Sequence, residues 1–301
     1  MNRSGYGARF GRWSGDLKSI LRMAAIWVGY HSRPSFLIIG AQKGGTSALH
    51  AYLSEHSHVM PATKKEIGFF HKDVAYDRGL IWYHSHFPLP HHLGDGAVTF
   101  EATPEYLYSA KSARRIHRYD PDIRLAVLLR DPVDRAYSHW NMLRKMLRRK
   151  PEFLFQRTRD SDPAVRAWAD RILANESFPG FGEAVREELE MIEANDPAPE
   201  PSYLRRGLYY EQLMTYLRYF DRDQVMVIDS RSLIHDRVET LGKIGEFLQL
   251  PAHEWSSEDL ALRNVNVYQE DLSARARVFL RDFYRPHNEK LYQLLGRDFG
   301  W

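Results

Sequence analysis

The sequence predicts one α/β domain, a parallel sheet flanked by helices. Two observations carry this. Four short apolar runs, at 36–39, 97–100, 124–129 and 224–228, alternate with stretches of helical pattern, the order expected of parallel strands joined by crossover helices. Two of those runs lead directly into sequences suited to holding an anion, and open α/β sheets bind ligands at the carboxyl ends of their strands. The domain is expected over 34–301, after a leader at 1–33 and with an insertion at about 151–201.

Phe36–Ile39 reads as a short buried strand, followed by a glycine turn and a helix from Thr46 to about His56. The turn is Gly40-Ala41-Gln42-Lys43-Gly44-Gly45-Thr46-Ser47. Unpaired backbone N–H groups and the positive end of a helix dipole converge on one spot there. Gly44 and Gly45 allow a phosphate to come close. Lys43 adds a mobile charge, and Thr46 and Ser47 add hydroxyls. A nucleotide-triphosphate loop places its lysine after the last glycine; here Lys43 precedes the pair. A lone glycine pair can serve turn geometry alone, so the reading as an anion site rests on the lysine and hydroxyls around it.

Glu66 lies between Lys64-Lys65 and the apolar Ile67–Phe70. Partial desolvation raises a carboxyl pKa and a nearby cation lowers it, the two opposing effects that tune a general base. Taken alone, Glu66 also fits a surface residue beside two lysines. His71 is the alternative base, because imidazole titrates near neutrality.

A short helix is expected around Gly79–His86. The second strand, Ala97–Phe100, ends in Glu101-Ala102-Thr103-Pro104-Glu105-Tyr106, and a helix follows over 108–119. Arg124–Leu129 is the clearest buried strand, a continuous apolar run as parallel sheets require. It runs into Arg130-Asp131-Pro132, with Pro132 well placed to start a helix over 133–148. Arg130 then sits at a strand end and Ser138 about two turns along, so both reach one phosphate if the helix crosses the strand end. The helix tail carries Arg144, Lys145, Arg148, Arg149 and Lys150, either a solvated face or a rim for an anionic acceptor.

Beyond it, a helix near 163–174 and an acidic one over 181–194 precede a Pro-rich surface linker at 195–201. An aromatic helix follows from Leu204 to Phe220, then the strand at 224–228 and an amphipathic helix over 237–248. After a polar loop, a C-terminal helix begins near Ser273, with Pro286 expected to interrupt it.

The chain has 301 residues, a formal net charge of +3 and no cysteine. The charge suits an anionic ligand without calling for nucleic acid. The missing cysteine removes disulfides, thiolate metal sites and thiol nucleophiles and favours a cytoplasmic location. The 14 histidines show no zinc spacing, and no metal is expected. The leader carries Arg3, Arg9, Arg12, Lys18 and Arg22, then an apolar run from Met23 to Tyr30. That run is too short to span a bilayer. It is either a helix packed on the domain or an interfacial helix, with residues 20–30 touching a membrane surface.

From about Ser35 to Trp301 the chain resembles the sulfotransferases that use 3′-phosphoadenosine-5′-phosphosulfate (PAPS), and among them the heparan-sulfate branch and its bacterial relatives. Four segments carry the likeness: Phe36–Ser47, Lys65–Phe70, Leu129–Ser138 and Tyr284–Trp301. The resemblance implies a domain related to the P-loop nucleotide kinases. It implies that Lys43, Gly44, Gly45, Thr46 and Ser47 hold the 5′-phosphosulfate, that Arg130 and Ser138 hold the 3′-phosphate, and that Glu66 deprotonates a glycan or small-molecule acceptor. Animal members carry a lysine where this chain has Ala102 and often a histidine where it has Gly68. Their late Lys-Gly-Phe-Tyr-Cys loop is absent; Arg263 and Asn264 stand in roughly its place and are carried over as nucleotide contacts. Two other readings are a P-loop kinase, which lacks here the Gly-Lys-[Ser/Thr] ending and an evident magnesium-binding aspartate, and a non-catalytic module for an anionic polymer, which leaves Arg130, Ser138 and Glu66 without a role.

Overall fold

The computed structural model describes residues 20–149, 163–174, 178–197, 200–256, 260–261 and 272–301. Five strands form the sheet: β1 (Phe36–Gly40), β2 (Val59–Pro61), β3 (Val98–Ala102), β4 (Arg124–Leu129) and β5 (Val225–Asp229). Their order is β2-β3-β1-β4-β5 and every pairing is parallel. All carboxyl ends therefore open on one edge, and the loops after β1, β3 and β4 lie side by side there.

The helices used below are α1 (residues 20–27), α2 (Thr46–Glu55), α3 (Gly79–His84), α4 (Glu105–Tyr108), α5 (Ala110–Tyr119), α6 (Pro132–Arg149), α7 (Pro163–Ala174), α8 (Phe181–Glu193), α9 (Tyr209–Tyr216), α10 (Arg237–Leu248) and α11 (Ala274–Leu295). Both sheet faces are covered, which is why β1 and the run Leu125–Leu129 of β4 are buried and apolar throughout. Leu37, Ile39, Leu125 and Val127 join a core with Phe69, Phe70, Tyr106 and Tyr216. Phe36, Ile38, Ala126 and Leu128 face the other way, against Leu49, Leu53, Leu241 and Ile244. A third cluster brings Val133 and Trp140 of α6 together with Trp168 of α7, Phe181 of α8 and Leu280 of α11. The helices of the expected insertion are thus part of a packed core.

Several expectations need correction. β2 has no counterpart in the sequence reading. β3 runs two residues further than its apolar run, through Glu101 to Ala102. The helix expected over 108–119 is α5, which starts at Ala110 because the backbone of Ser109 is extended; the short α4 precedes it. The aromatic helix expected from Leu204 begins as a 3-10 turn, Arg205–Gly207, because the Glu188 carboxylate takes the amides of Leu204 and Arg205 at 2.8 and 2.9 Å. Pro286 lies within an unbroken α11. It is on the exposed side, where water can serve the carbonyl that loses its amide partner. The stretch at 195–201 is no simple surface linker either, since Pro201 is buried and Glu200 pairs with Arg206. Among the described residues no helix is long and apolar enough to cross a membrane.

Candidate active site

The turn between β1 and α2 packs directly on β4. The Ala41 amide donates to the Leu128 carbonyl at 2.8 Å, and the Gly44 amide to the Ala41 carbonyl at 2.9 Å. A Cβ on Gly44 would stand 2.5 Å from the Leu128 oxygen, so only glycine fits this close backbone approach. Gly45 precedes α2 with φ +104°. The first bonds within α2 are donated by Ala48 and Leu49 to the Gly45 carbonyl. The amides of Thr46 and Ser47 come before them, at the positive end of the helix. Thr46 is buried and Ser47 exposed.

Among the described residues, four that are not glycine have positive φ: Lys43 (68°), Glu66 (60°), Asn195 and Gln249. Gln249 caps α10 and Asn195 follows the end of α8. The other two are the residues expected to carry the chemistry. Such conformations cost about 1–3 kcal/mol and persist where the surroundings over-determine them, often at functional sites. The Glu66 amide donates to the Ala102 carbonyl at the end of β3, 3.1 Å away. Its carboxylate meets Lys65 Nζ at 3.0 Å, and the side chain is 37% exposed. Glu66 is therefore fixed at the backbone beside the sheet's carboxyl edge and open to solvent at the carboxylate.

Arg130 closes the arrangement. Its Nη1 donates to the Lys43 carbonyl at 3.4 Å, so the two motifs expected to hold anions meet. Its own carbonyl accepts from the Tyr209 hydroxyl at 2.9 Å, which fixes the strand end. Ser138 lies on α6, as expected, and is 1% exposed. His71 does not titrate near neutrality as expected: burial pulls its imidazole down to about 4. Arg263 and Asn264 lie outside the described residues.

Two groups escaped the sequence reading. Glu101 is 1% exposed. It accepts from the Tyr83 and Tyr106 hydroxyls at 2.9 and 2.8 Å and from the Thr103 hydroxyl at 3.2 Å. Thr103 Oγ1 in turn accepts the Gly68 amide at 3.4 Å, so Glu101 anchors the loop that carries Glu66. Gln42, within the glycine turn, donates to Glu105 at 2.8 Å. Glu105 also pairs with Arg206 at 2.6 Å. The advance signal in the sequence is confined to Glu101, a carboxylate next to an apolar strand that marks the strand's end.

Burial raises the Glu101 carboxyl to about 7 against the three hydroxyls, which lower it. The folded pKa thus exceeds the unfolded value of 4.5. Its stabilising contribution is complete below the unfolded value and is lost as pH rises through the folded one. Glu101→Gln keeps the acceptor for both tyrosines and removes the titration. The stability margin of the native protein over this variant shrinks between pH 5 and pH 7.5. Urea unfolding of both at the two pH values checks this; a constant margin rules out the raised carboxyl.

A cavity of about 440 Å³ opens among Tyr108, Asp196, Arg205, Glu211 and Gln212. None of the predicted site residues lines it. Among the described residues, no three His, Asp or Glu side chains are grouped so as to hold a metal ion.

Comparison with known proteins bears on this geometry. The family described as "Sulfotransferase domain" matches residues 33–276. Mouse heparan sulfate glucosamine 3-O-sulfotransferase 6 is 32% identical over 89% of this chain and 73% of its own length, and the human protein of that name gives the same identity and coverage. Among solved structures, a sulfotransferase from Alicyclobacillus acidocaldarius superposes with a TM-score of 0.58 at 26% identity, over 89% of this chain and 98% of the other.

Proposed function

This chain belongs to the sulfotransferase domain family, and we propose that it moves a sulfuryl group from PAPS to a hydroxyl or amine of a carbohydrate and releases 3′-phosphoadenosine-5′-phosphate (PAP). The observation that carries the assignment of the site is the Arg130–Lys43 contact. It joins two anion-binding motifs on one sheet edge, as a ligand phosphorylated at two positions requires. Lys43 and the turn through Gly44, Gly45, Thr46 and Ser47 take the 5′ end. Arg130 takes the 3′-phosphate and Ser138 assists from α6; Arg263 and Asn264 cover the nucleotide. The family match over 33–276 supports reading 34–301 as the catalytic unit and 1–33 as its leader.

Sulfuryl transfer resembles phosphoryl transfer: the moving group is flat and electron-poor, with attacking and leaving oxygens in line. The acceptor oxygen bonds to sulfur as the bond from sulfur to the 5′-phosphate oxygen breaks, and the acceptor proton passes to the Glu66 carboxylate. Lys43 and the amides at the start of α2 neutralise the charge that grows on the leaving phosphate. Catalysis is then positioning plus fixed electrostatics. The acceptor class follows the relatives, whose names specify the glucosamine of heparan sulfate. The cysteine-free sequence supports a cytoplasmic location, which cell fractionation checks.

Thermal unfolding with PAP, against ATP plus magnesium, tests the nucleotide assignment. A ligand at a hundred times its Kd adds about 2.7 kcal/mol, a readable shift in Tm. PAP alone is expected to raise Tm. A shift with ATP–magnesium alone overturns the proposal in favour of a kinase, and retention on heparin at physiological salt with no response to PAP overturns it in favour of a binding module.

A further inference from the structure

Helix α1 is amphipathic the wrong way round. Ile20, Leu21, Trp27 and Val28 are 63, 60, 75 and 74% exposed, and Met23 and Ala24 are exposed with them. At 100° per residue these six apolar side chains fall within an arc of about 160°. The opposite side faces the protein and carries the charge. Ile26 is 2% exposed, and the Arg22 guanidinium donates to the carbonyls of Ser85, at 3.1 Å, and of Phe87. A helix that only packs on a soluble domain turns its apolar arc inward. Here the single cation is tied to the body and the apolar arc faces out.

The helix is held in that pose from both ends. Arg22 secures one end. Beyond the other, the Tyr30 hydroxyl meets His91 Nδ1 at 3.1 Å and Arg33 donates to the Tyr119 carbonyl at 3.0 Å. Scattered exposed apolar residues are ordinary, but a contiguous apolar face marks an interaction surface.

We infer that this face is a monotopic anchor that seats the protein on an anionic lipid surface. Three points select lipid as the occupant. The apolar run from Met23 to Tyr30 spans about 12 Å as a helix at 1.5 Å per residue, far short of a bilayer's apolar thickness of about 30 Å, so such a run lies in the interface plane. Trp27 and Tyr30 are the residue types that settle at the headgroup level. The preceding residues 1–19 carry Arg3, Arg9, Arg12 and Lys18 against Asp16 alone, a polybasic second signal of the kind that stable anchoring needs beside a modest apolar one. A second copy of the chain is a poorer occupant. Two basic leaders repel each other, and two turns of helix fall well short of the roughly 800 Å² per partner of a stable interface.

The test is flotation of the full chain with vesicles of phosphatidylcholine alone and with phosphatidylglycerol added to give a negative surface potential. Binding is expected to the anionic vesicles only, to weaken with added salt, and to fall by about fivefold per neutralised leader cation. Leu21→Ser with Trp27→Ser is expected to abolish binding with Tm unchanged, since both side chains are exposed. No flotation with anionic vesicles overturns the inference, as does binding that survives the double substitution. Light scattering that shows a dimer dissolved by that substitution overturns it in favour of a second copy.

Discussion

Glu66→Gln is expected to abolish sulfuryl transfer and to leave PAP binding intact. Glutamine has nearly the shape of glutamate and keeps the positive φ of 60° and the amide bond to Ala102 at 3.1 Å, so the loop holds its place. What is lost is the ability to accept a proton, and general-base catalysis contributes typically 10²–10⁴-fold. The expected kcat is lower by about that factor, with the rise of Tm on adding PAP unchanged. The split between the two readouts is the point of the test. A variant that lost both would show only that the loop needs the carboxylate for its fold. Near-normal turnover would remove Glu66 from the mechanism. His71 is poorly placed to take over. With its imidazole pulled down to about 4 by burial, it is neutral at pH 7 but a weak base, and its Nδ1 is buried without a hydrogen-bond partner.

The parts of the site that could be read from the sequence are those encoded locally. Leu125–Leu129 is an unbroken apolar run that ends at Arg130, so strand, strand end and anion-binding residue are one continuous stretch. The turn from Gly40 to Ser47 is likewise self-contained, and its glycines report the close approach to Leu128 without reference to any other segment. What escaped depends on distant partners. β2 is three residues long and ends in Pro61, which fits only an edge strand and carries no periodicity. Glu101 looks like a polar strand end because a lone carboxylate in a core is costly. Only the fold brings Tyr83 and Tyr106 to it. The left-handed backbone of Lys43 and Glu66 has no sequence signature, since neither residue type favours it.

Arg206→Leu carries the largest expected cost in stability, and it does so through such distant pairings. Arg206 is 7% exposed. It meets Glu105 at 2.6 Å and Glu200 at 3.1 Å, donates to Ser202 at 2.6 Å, and lies 4.4 Å over the Tyr108 ring. Burial alone would pull its guanidinium down, but the two carboxylates more than offset this and hold it charged. Leucine fills much of the volume and leaves two carboxylates without their cation. Breaking a buried pair in this way costs about 3–5 kcal/mol, a fall in Tm of roughly 10 °C for a chain of this size. Burial already raises the Glu200 carboxyl, and Arg206 is the first influence that lowers it. Without the arginine the folded pKa climbs further above the unfolded one, so the variant loses stability as pH rises, and its deficit is larger at pH 7.5 than at pH 5. Adding Glu105→Gln and Glu200→Gln removes the stranded charges and restores part of the loss. Glu105 also holds Gln42 in the glycine turn at 2.8 Å, so the single variant is expected to bind PAP more weakly even at temperatures where it stays folded. Urea unfolding at the two pH values and PAP titration read these effects separately. A variant as stable as the native protein at both pH values, with unaltered PAP affinity, would mean that the network neither holds the fold nor supports the turn.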